Sequence, residues 1–361
     1  MTGGRIIAPP HRVARLARLA LFALAVTGAL AGLGVLWLHL ASDPLADVRA
    51  YYDAAARLNA GQPLYPPGQD VNGSTAYFYP PLFAILFRPL ALLPYEVAAV
   101  AWEGIVIASF VATLYLLGLR RRETWIAVGL LGVPIAWTLV VAQGHAVVTL
   151  LLTIGSPFGV ALAAHMKLFP LLAGAWFVGR RDWRRSAALA GWVAALAVVQ
   201  LILEPQATIE FIRALGTSWV GEVRNFSPYA VSPVLWAILV AIGIVAALRL
   251  APTRWGWASA VALATLSPPR LLTYMLIGLL AALRPDRRGA EPTGFPIGEQ
   301  ARHPHDQAHE VREAGPPEGG EPHADGEEGQ RLAADAPEPP GDERQDDRGD
   351  HAQDVGNGQD P

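Results

Sequence analysis

An all-α, multi-pass membrane fold of about nine to ten helical segments, some of them re-entrant, is predicted by three observations. Of 361 residues, 52% are hydrophobic and only 16% charged, against about 25% charge in an ordinary soluble domain. Apolar stretches long enough to approach or cross about 30 Å of hydrocarbon recur along the chain. Arginine clusters fall between them at intervals that place every cluster on one side of a bilayer.

The first apolar run, 18–40, follows Arg12, Arg15 and Arg18. It is longer than a signal-peptide core and no small-residue cleavage site follows it, so a retained first transmembrane helix is expected. Further spans are expected near 96–119, 124–142, 157–178, 187–204, 232–250 and 255–283, with shorter apolar stretches at 80–93 and 145–155. Ser267-Pro268-Pro269-Arg270 breaks the last span into two short helices joined by an irregular turn. Non-helical backbone at such depth must be buried in protein or line a cavity.

Positive-inside placement puts Arg12/Arg15/Arg18, Arg120/Arg121/Arg122, Arg180/Arg181/Arg184/Arg185 and Arg284/Arg287/Arg288 in the cytoplasm. The loop 41–79 with Asp43, Asp47, Asp53 and Asp70 then lies outside, as do Gln143-Gly144-His145, the loop 205–231 and the 267–270 turn. This parity makes 80–93 an interfacial or re-entrant helix, and 145–155 a re-entrant half-helix that precedes one full crossing at 157–178. Both termini are cytoplasmic, and the polar groups gather on the outer face.

The net charge of −3 hides an asymmetry, because residues 291–361 hold 19 Asp/Glu and 5 Arg. Three regions follow: a basic N-terminus over 1–15, a transmembrane domain over 16–284, and an acidic tail over 285–361. The tail is rich in Pro, Gly and His, cannot bury enough apolar surface to offset ordering entropy, and is expected to be disordered. Its His303, His305 and His309 would bind metal only adventitiously. Cysteine is absent, which excludes disulfides, thiolate metal sites and thiol nucleophiles. No phosphate-binding loop, dinucleotide fingerprint or nucleophile elbow occurs, so no cofactor and no metal is expected. Membrane lipids are expected partners and nucleic acid is not.

Chemistry concentrates in Asp47-Val48-Arg49-Ala50-Tyr51-Tyr52-Asp53-Ala54-Ala55, then Gly61-Gln62-Pro63-Leu64-Tyr65 and Tyr77-Phe78-Tyr79-Pro80-Pro81. On a helix Asp47, Tyr51 and roughly Tyr52 share a face, while Asp53 points elsewhere. Asp47 sits just beyond the first span, where a carboxylate is partly desolvated yet reachable, which suits a general base. An aspartate there is also a favoured helix cap. Tyr51, Tyr52, Tyr77 and Tyr79 suit stacking on sugar faces, and equally suit anchoring at a membrane interface. Lys167, the one lysine beside 27 arginines, lies in an apolar stretch where an ionisable group is costly. It either holds a phosphate or snorkels to the headgroups. Arg270, in its proline turn, is placed to clamp phosphate bidentately. His145 is an interior histidine or a ligand contact.

These blocks, followed by Tyr79-Pro80-Pro81-Leu82-Phe83-Ala84-Ile85-Leu86-Phe87-Arg88-Pro89-Leu90, resemble the bacterial polyprenyl-phosphate-mannose-dependent mannosyltransferases, membrane glycosyltransferases of the GT-C class. The resemblance extends over roughly residues 15–284. It continues through Gln143-Gly144-His145 (where the family shows Gly-Gln-x-Asn), Lys167-Leu168-Phe169-Pro170, Arg181-Asp182-Trp183 and Asn225-Phe226-Ser227. The Gly-Gln-x-Asn motif is not intact here, and a loop usual between Gln143 and Lys167 is missing.

The resemblance implies Asp47 as catalytic base, Lys167 and Arg270 at the donor phosphate, and Tyr51, Tyr52, Tyr79, Gln143, His145, Asn225 and Ser227 at the substrates. It also implies a bacterial inner-membrane enzyme. Such an enzyme would move a sugar, mannose by analogy, from a polyprenyl-phosphate donor to a glycolipid or glycan acceptor on the outer face. Two other classes stay open: a lipid or solute transporter, whose polar groups belong near the bilayer midplane, and a non-catalytic membrane partner recruiting through its acidic tail.

Overall fold

The computed structural model describes residues 11–66, 76–215, 219–222 and 224–285. Asp70, Arg287, Arg288, the side chain of Arg12, residues 1–10 and the acidic tail beyond Pro285 lie outside the described residues, and with them its expected disorder. All regular structure among the described residues is helical. In order the α-helices are α1 (His11–Ser42), α2 (Ala46–Asn59), α3 (Pro81–Phe87), α4 (Tyr95–Leu117), α5 (Arg122–Leu130), α6 (Gly132–Val140), α7 (His145–Ile154), α8 (Pro157–Met166), α9 (Ala175–Gly179), α10 (Trp183–Leu203), α11 (Pro205–Ala214), α12 (Pro233–Leu250) and α13 (Gly256–Leu266). Turns of 3₁₀ helix cover Phe169–Gly174 and Thr273–Leu283.

Four helices, α1, α4, α10 and α12, are long and apolar enough to cross a membrane. A fifth crossing is possible if α5 and α6, bent by 71°, count as one span. The sequence pattern predicts that span as unbroken. Pro134 explains the break, because its ring displaces the carbonyl of Leu130 and it has no N–H to donate.

Helix α1 lies against α5 and α6 through a seam of small residues. A Cβ on Gly28 would stand 2.3 Å from the Gly129 carbonyl oxygen, and one on Gly32 would stand 2.5 Å from that of Gly132. Apolar side chains gain little by leaving lipid for protein, so close backbone approach at glycine supplies the dispersion contact that joins such helices.

The centre is built from shorter pieces. Helix α7 ends at Gly155, whose φ of 58° is the left-handed conformation open to glycine. Ser156 caps the next helix by accepting a hydrogen bond from the Gly159 N–H, and Pro157 occupies its first turn. Each ten-residue helix rises about 15 Å, half the hydrocarbon thickness.

The tip at Gly155 lies beside Arg284, and the two ends meet again where Lys167 Nζ donates to Gln143 Oε1 at 3.0 Å. The pair is therefore a hairpin that leaves and returns to one level. This corrects the expectation of a half-helix followed by one full crossing at 157–178, since α8 comes back and the connection to the arginines is made by 169–179. Glycine and proline at 155–157 dictate the reversal.

Segments 169–179, α13 and 273–283 run between the same two levels. Trp176 packs on Trp257 and Arg284 lies over the Trp257 ring at the arginine-bearing end, while Lys167, Thr265 and Tyr274 line a cavity at the other. Segments of this length rise about 15 to 22 Å. The cavity floor thus sits well short of a full 30 Å crossing from the arginines. Over 80–93 the structure has the seven-residue α3 and one 3₁₀ turn, too short to span.

Candidate active site

The cavity holds about 830 Å³, in the upper part of the range for ligand pockets. Helix α2 supplies its chemical centre. The chain turns sharply at Asp43-Pro44-Leu45, with Leu45 at φ 60°. The N–H groups of Leu45 and Asp47 donate to the carbonyls of Val140 and Val141, at 2.8 and 3.2 Å. These bonds pin the start of α2 to the end of α6 and aim Asp47 inward.

Asp47 Oδ2 accepts from Gln143 Nε2 at 2.6 Å. Gln143 Oε1 in turn accepts from the Tyr51 hydroxyl and from Lys167 Nζ. The Tyr51 hydroxyl also accepts from the Gly144 N–H at 3.3 Å. Lys167 Nζ stands 3.5 Å from the centre of the Tyr79 ring, a cation–π contact that compensates part of the lost hydration of the ammonium. One amide therefore joins the carboxylate to the ammonium and keeps them from pairing directly.

Burial lifts the Asp47 carboxyl to about 6, opposed by the nearby charge of Lys167, the Gln143 hydrogen bond and the charge of Arg270. A carboxylate tuned to that range suits proton abstraction near neutral pH. Asp43, four residues earlier and near the rim, behaves oppositely. Burial, the largest single influence, is outweighed by the sum of hydrogen bonds from Ser42 and His39 and the His39 charge, so its carboxyl lies below the ordinary value.

The remaining expected residues divide. Tyr51, Tyr79, His145, Lys167 and Arg270 line the cavity with Asp47. His145 packs its ring 5.4 Å from that of Tyr274 and has no hydrogen-bond partner at Nδ1. Gln143 is fully buried behind Asp47 and meets protein, not the cavity.

Tyr52 turns away from Tyr51, since neighbouring positions on a helix diverge by about 100°. Its hydroxyl donates to the Leu93 carbonyl at 2.8 Å and its ring packs on Tyr95. Asp53 pairs with Arg49. The bonds of Asn225 staple the loop to the proline turn: Nδ2 donates to the Pro269 carbonyl, and Oδ1 accepts from the N–H groups of Ser227 and Leu271. Ser227 Oγ accepts from the Tyr229 N–H. Both side chains shape the wall through backbone groups and lie outside the cavity lining.

Arg270 forms a bidentate pair with Glu222, with Nε donating to Oε2 at 3.0 Å and Nη2 to Oε1 at 2.7 Å, and stacks over Trp219. Lining residues outside the sequence expectation include His39, Trp137, Trp219, Arg224 and Tyr274. Their only sequence signal was an aromatic or charged side chain at the edge of an apolar run, which membrane proteins show at every interface.

The family model for glycosyltransferase family 87 matches residues 77–290, more than half of the chain and beginning after Asp47. Two curated relatives bear the name polyprenol-phosphate-mannose-dependent alpha-(1-2)-phosphatidylinositol pentamannoside mannosyltransferase. The one from Mycolicibacterium smegmatis is 30% identical over 272 residues, covering 66% of this chain and 65% of its own. The one from Mycobacterium tuberculosis is 25% identical over 252 residues, covering 63% and 56%. The chain thus spans less than two thirds of the length of these relatives. No solved structure matches it. An Asp-centred cavity in a helical membrane fold and a family match running through its lysine, its proline turn and its loop staple lead to one conclusion: this chain belongs to glycosyltransferase family 87.

Proposed function

We propose that residues 16–284 form a glycosyltransferase domain that moves mannose from a polyprenyl-phosphate donor to a hydroxyl of a glycolipid or envelope glycan. The observation that carries this reading is Asp47, half-buried in the cavity wall with its carboxyl lifted to about 6 and held one amide away from Lys167. The names of the two relatives support the donor and a glycolipid acceptor.

In the reaction, Asp47 takes the proton of the acceptor hydroxyl as its oxygen bonds to the anomeric carbon. The bond from that carbon to the phosphate oxygen breaks, and polyprenyl phosphate leaves with the electron pair. Lys167 and Arg270 face the departing negative charge from a low-dielectric floor, where fixed charges count for more than in water. A single displacement inverts the anomeric carbon. The positive-inside rule places the arginine-bearing end in the cytoplasm and the cavity mouth outside a bacterial inner membrane. A recessed floor lets the lipid-borne phosphate meet its partners without drawing the polyprenyl chain out of the bilayer.

The test uses membranes containing the wild-type protein or Asp47→Asn, radiolabelled polyprenyl-phosphate mannose and a native lipid extract. Label should move into a larger glycolipid or polymer with the wild type alone, at equal protein abundance. Transfer that survives Asp47→Asn sinks the assignment of the base. Absence of transfer in both, with labelled substrate crossing sealed vesicles, favours a transporter.

A further inference from the structure

The cavity wall formed by the end of α1 and the end of α6 carries a second group of polar and aromatic side chains that the proton transfer leaves unused. His39 Nδ1 and Asp43 Oδ1 are 2.6 Å apart, and the same carboxylate oxygen accepts from Ser42 Oγ at 2.7 Å. The His39 ring lies 5.0 Å from that of Trp137 at an interplanar angle of 35°. His39, Asp43 and Trp137 all line the cavity beside Asp47, whereas the basic groups Arg224 and Arg270 line it with Trp219, on the loops after α11 and α13. Asp47 feels the charge of Asp43 and that of Arg270, so it stands within electrostatic reach of both groups.

The His39–Asp43 pair offers no surplus positive charge to hold the donor phosphate, and its outward carboxylate oxygen would face that anion at short range. It can serve a neutral polyol. Asp43 Oδ2 has no hydrogen-bond partner among the described residues and a carboxylate is the strongest acceptor available for sugar hydroxyls. Trp137 adds an apolar ring face of the kind that packs on the C–H face of a pyranose.

We infer that His39, Asp43 and Trp137 form the subsite for the acceptor's terminal sugar, a neutral hexopyranoside with vicinal hydroxyls, held with one hydroxyl towards Asp47. The inference rests on the glycosyltransferase reading for its chemistry but not for its detection. The cavity volume of about 830 Å³ accommodates more than one sugar ring; the basic groups Arg224 and Arg270, the latter held by Glu222, suit the phosphate-bearing ring, and the free Asp43 oxygen with the Trp137 ring suits the neutral one. Substrate selectivity then depends on a carboxylate distinct from the catalytic one.

The test measures binding of tritiated n-octyl α-mannopyranoside to the detergent-solubilised full chain by equilibrium dialysis, beside transfer from polyprenyl-phosphate mannose to the same glycoside. Asp43→Asn should weaken binding about ten-fold, the range expected for losing a charge-assisted hydrogen bond, and Trp137→Leu by a similar factor through loss of the packed ring face. Each should raise the acceptor KM with the donor KM unchanged. Asp47→Asn should lose transfer while still showing Asp43- and Trp137-dependent glycoside binding. Equal binding by wild type, Asp43→Asn and Trp137→Leu, or no binding by the wild type, overturns the subsite. Asp43- and Trp137-dependent binding without any transfer by the wild type retains the subsite and overturns the glycosyltransferase reading instead. A parallel rise in donor and acceptor KM means that the variants disturb the whole cavity, and also overturns it.

Discussion

The two walls of the cavity use polar side chains in different ways. Around Asp47, side chains bond to other side chains: Gln143 to Asp47, Tyr51 and Lys167, with Tyr79 beneath the ammonium. On the loop after α11, Asn225 and Ser227 bond almost entirely to backbone groups, tying 225–229 to 269–271. A cluster of side chains can exchange partners when a substrate arrives, because each member keeps its rotamers and its protons. A staple to backbone groups cannot move without opening the loop. The first wall is built for chemistry and the second for shape, although the sequence offers polar residues of similar type in both.

The largest effect that sharpens this contrast is at Asp47. Asp47→Asn should lower kcat by about 10²- to 10⁴-fold, the usual worth of a general base, with little change in protein abundance, as followed by label transfer. The next concerns pH. Transfer should rise with pH through about 6 as Asp47 loses its proton. Lys167 lowers that value by its charge, so Lys167→Met should move the rising limb of the kcat/KM profile to higher pH. An unmoved limb would remove Lys167 from the cluster.

On the other wall, Asn225→Ala leaves two N–H groups and one carbonyl without partners. It should cost about 1–3 kcal/mol of stability, seen as a lower Tm in detergent, with the acidic limb of the profile in place. A shift of that limb would give Asn225 a chemical role and break the comparison. The smallest effect is expected for Tyr52→Phe, which loses one hydrogen bond to Leu93, about 1 kcal/mol or less, and leaves acceptor and donor KM unchanged.

Much of this was legible in one dimension. The runs 18–40, 96–119, 187–204 and 232–250 became α1, α4, α10 and α12, because a continuous apolar helix of that length has few alternatives in a bilayer. The broken span at 255–283 was legible from proline, and the non-crossing segment at 80–93 from the parity of the arginine clusters. The hairpin of α7 and α8 was half legible: Gly155-Ser156-Pro157 announced a break, but hydropathy is blind to whether the chain then crosses or returns. Within the candidate site, Asp47, Lys167 and Arg270 stood out as ionisable groups in costly places, whereas Tyr274, Trp137 and Trp219 resembled ordinary interface residues until the fold brought them to one cavity.

By itself the sequence determined a helical membrane body, its four long spans and the few charged groups that must have partners, since each follows from the cost of exposing charge or backbone to hydrocarbon. Only the tertiary structure decided which partner each group took. Gln143 became a buried link between Asp47 and Lys167, and Asn225 a staple to the Pro269 turn, because such choices depend on distances of about 3 Å between residues far apart in the chain, which no local pattern encodes.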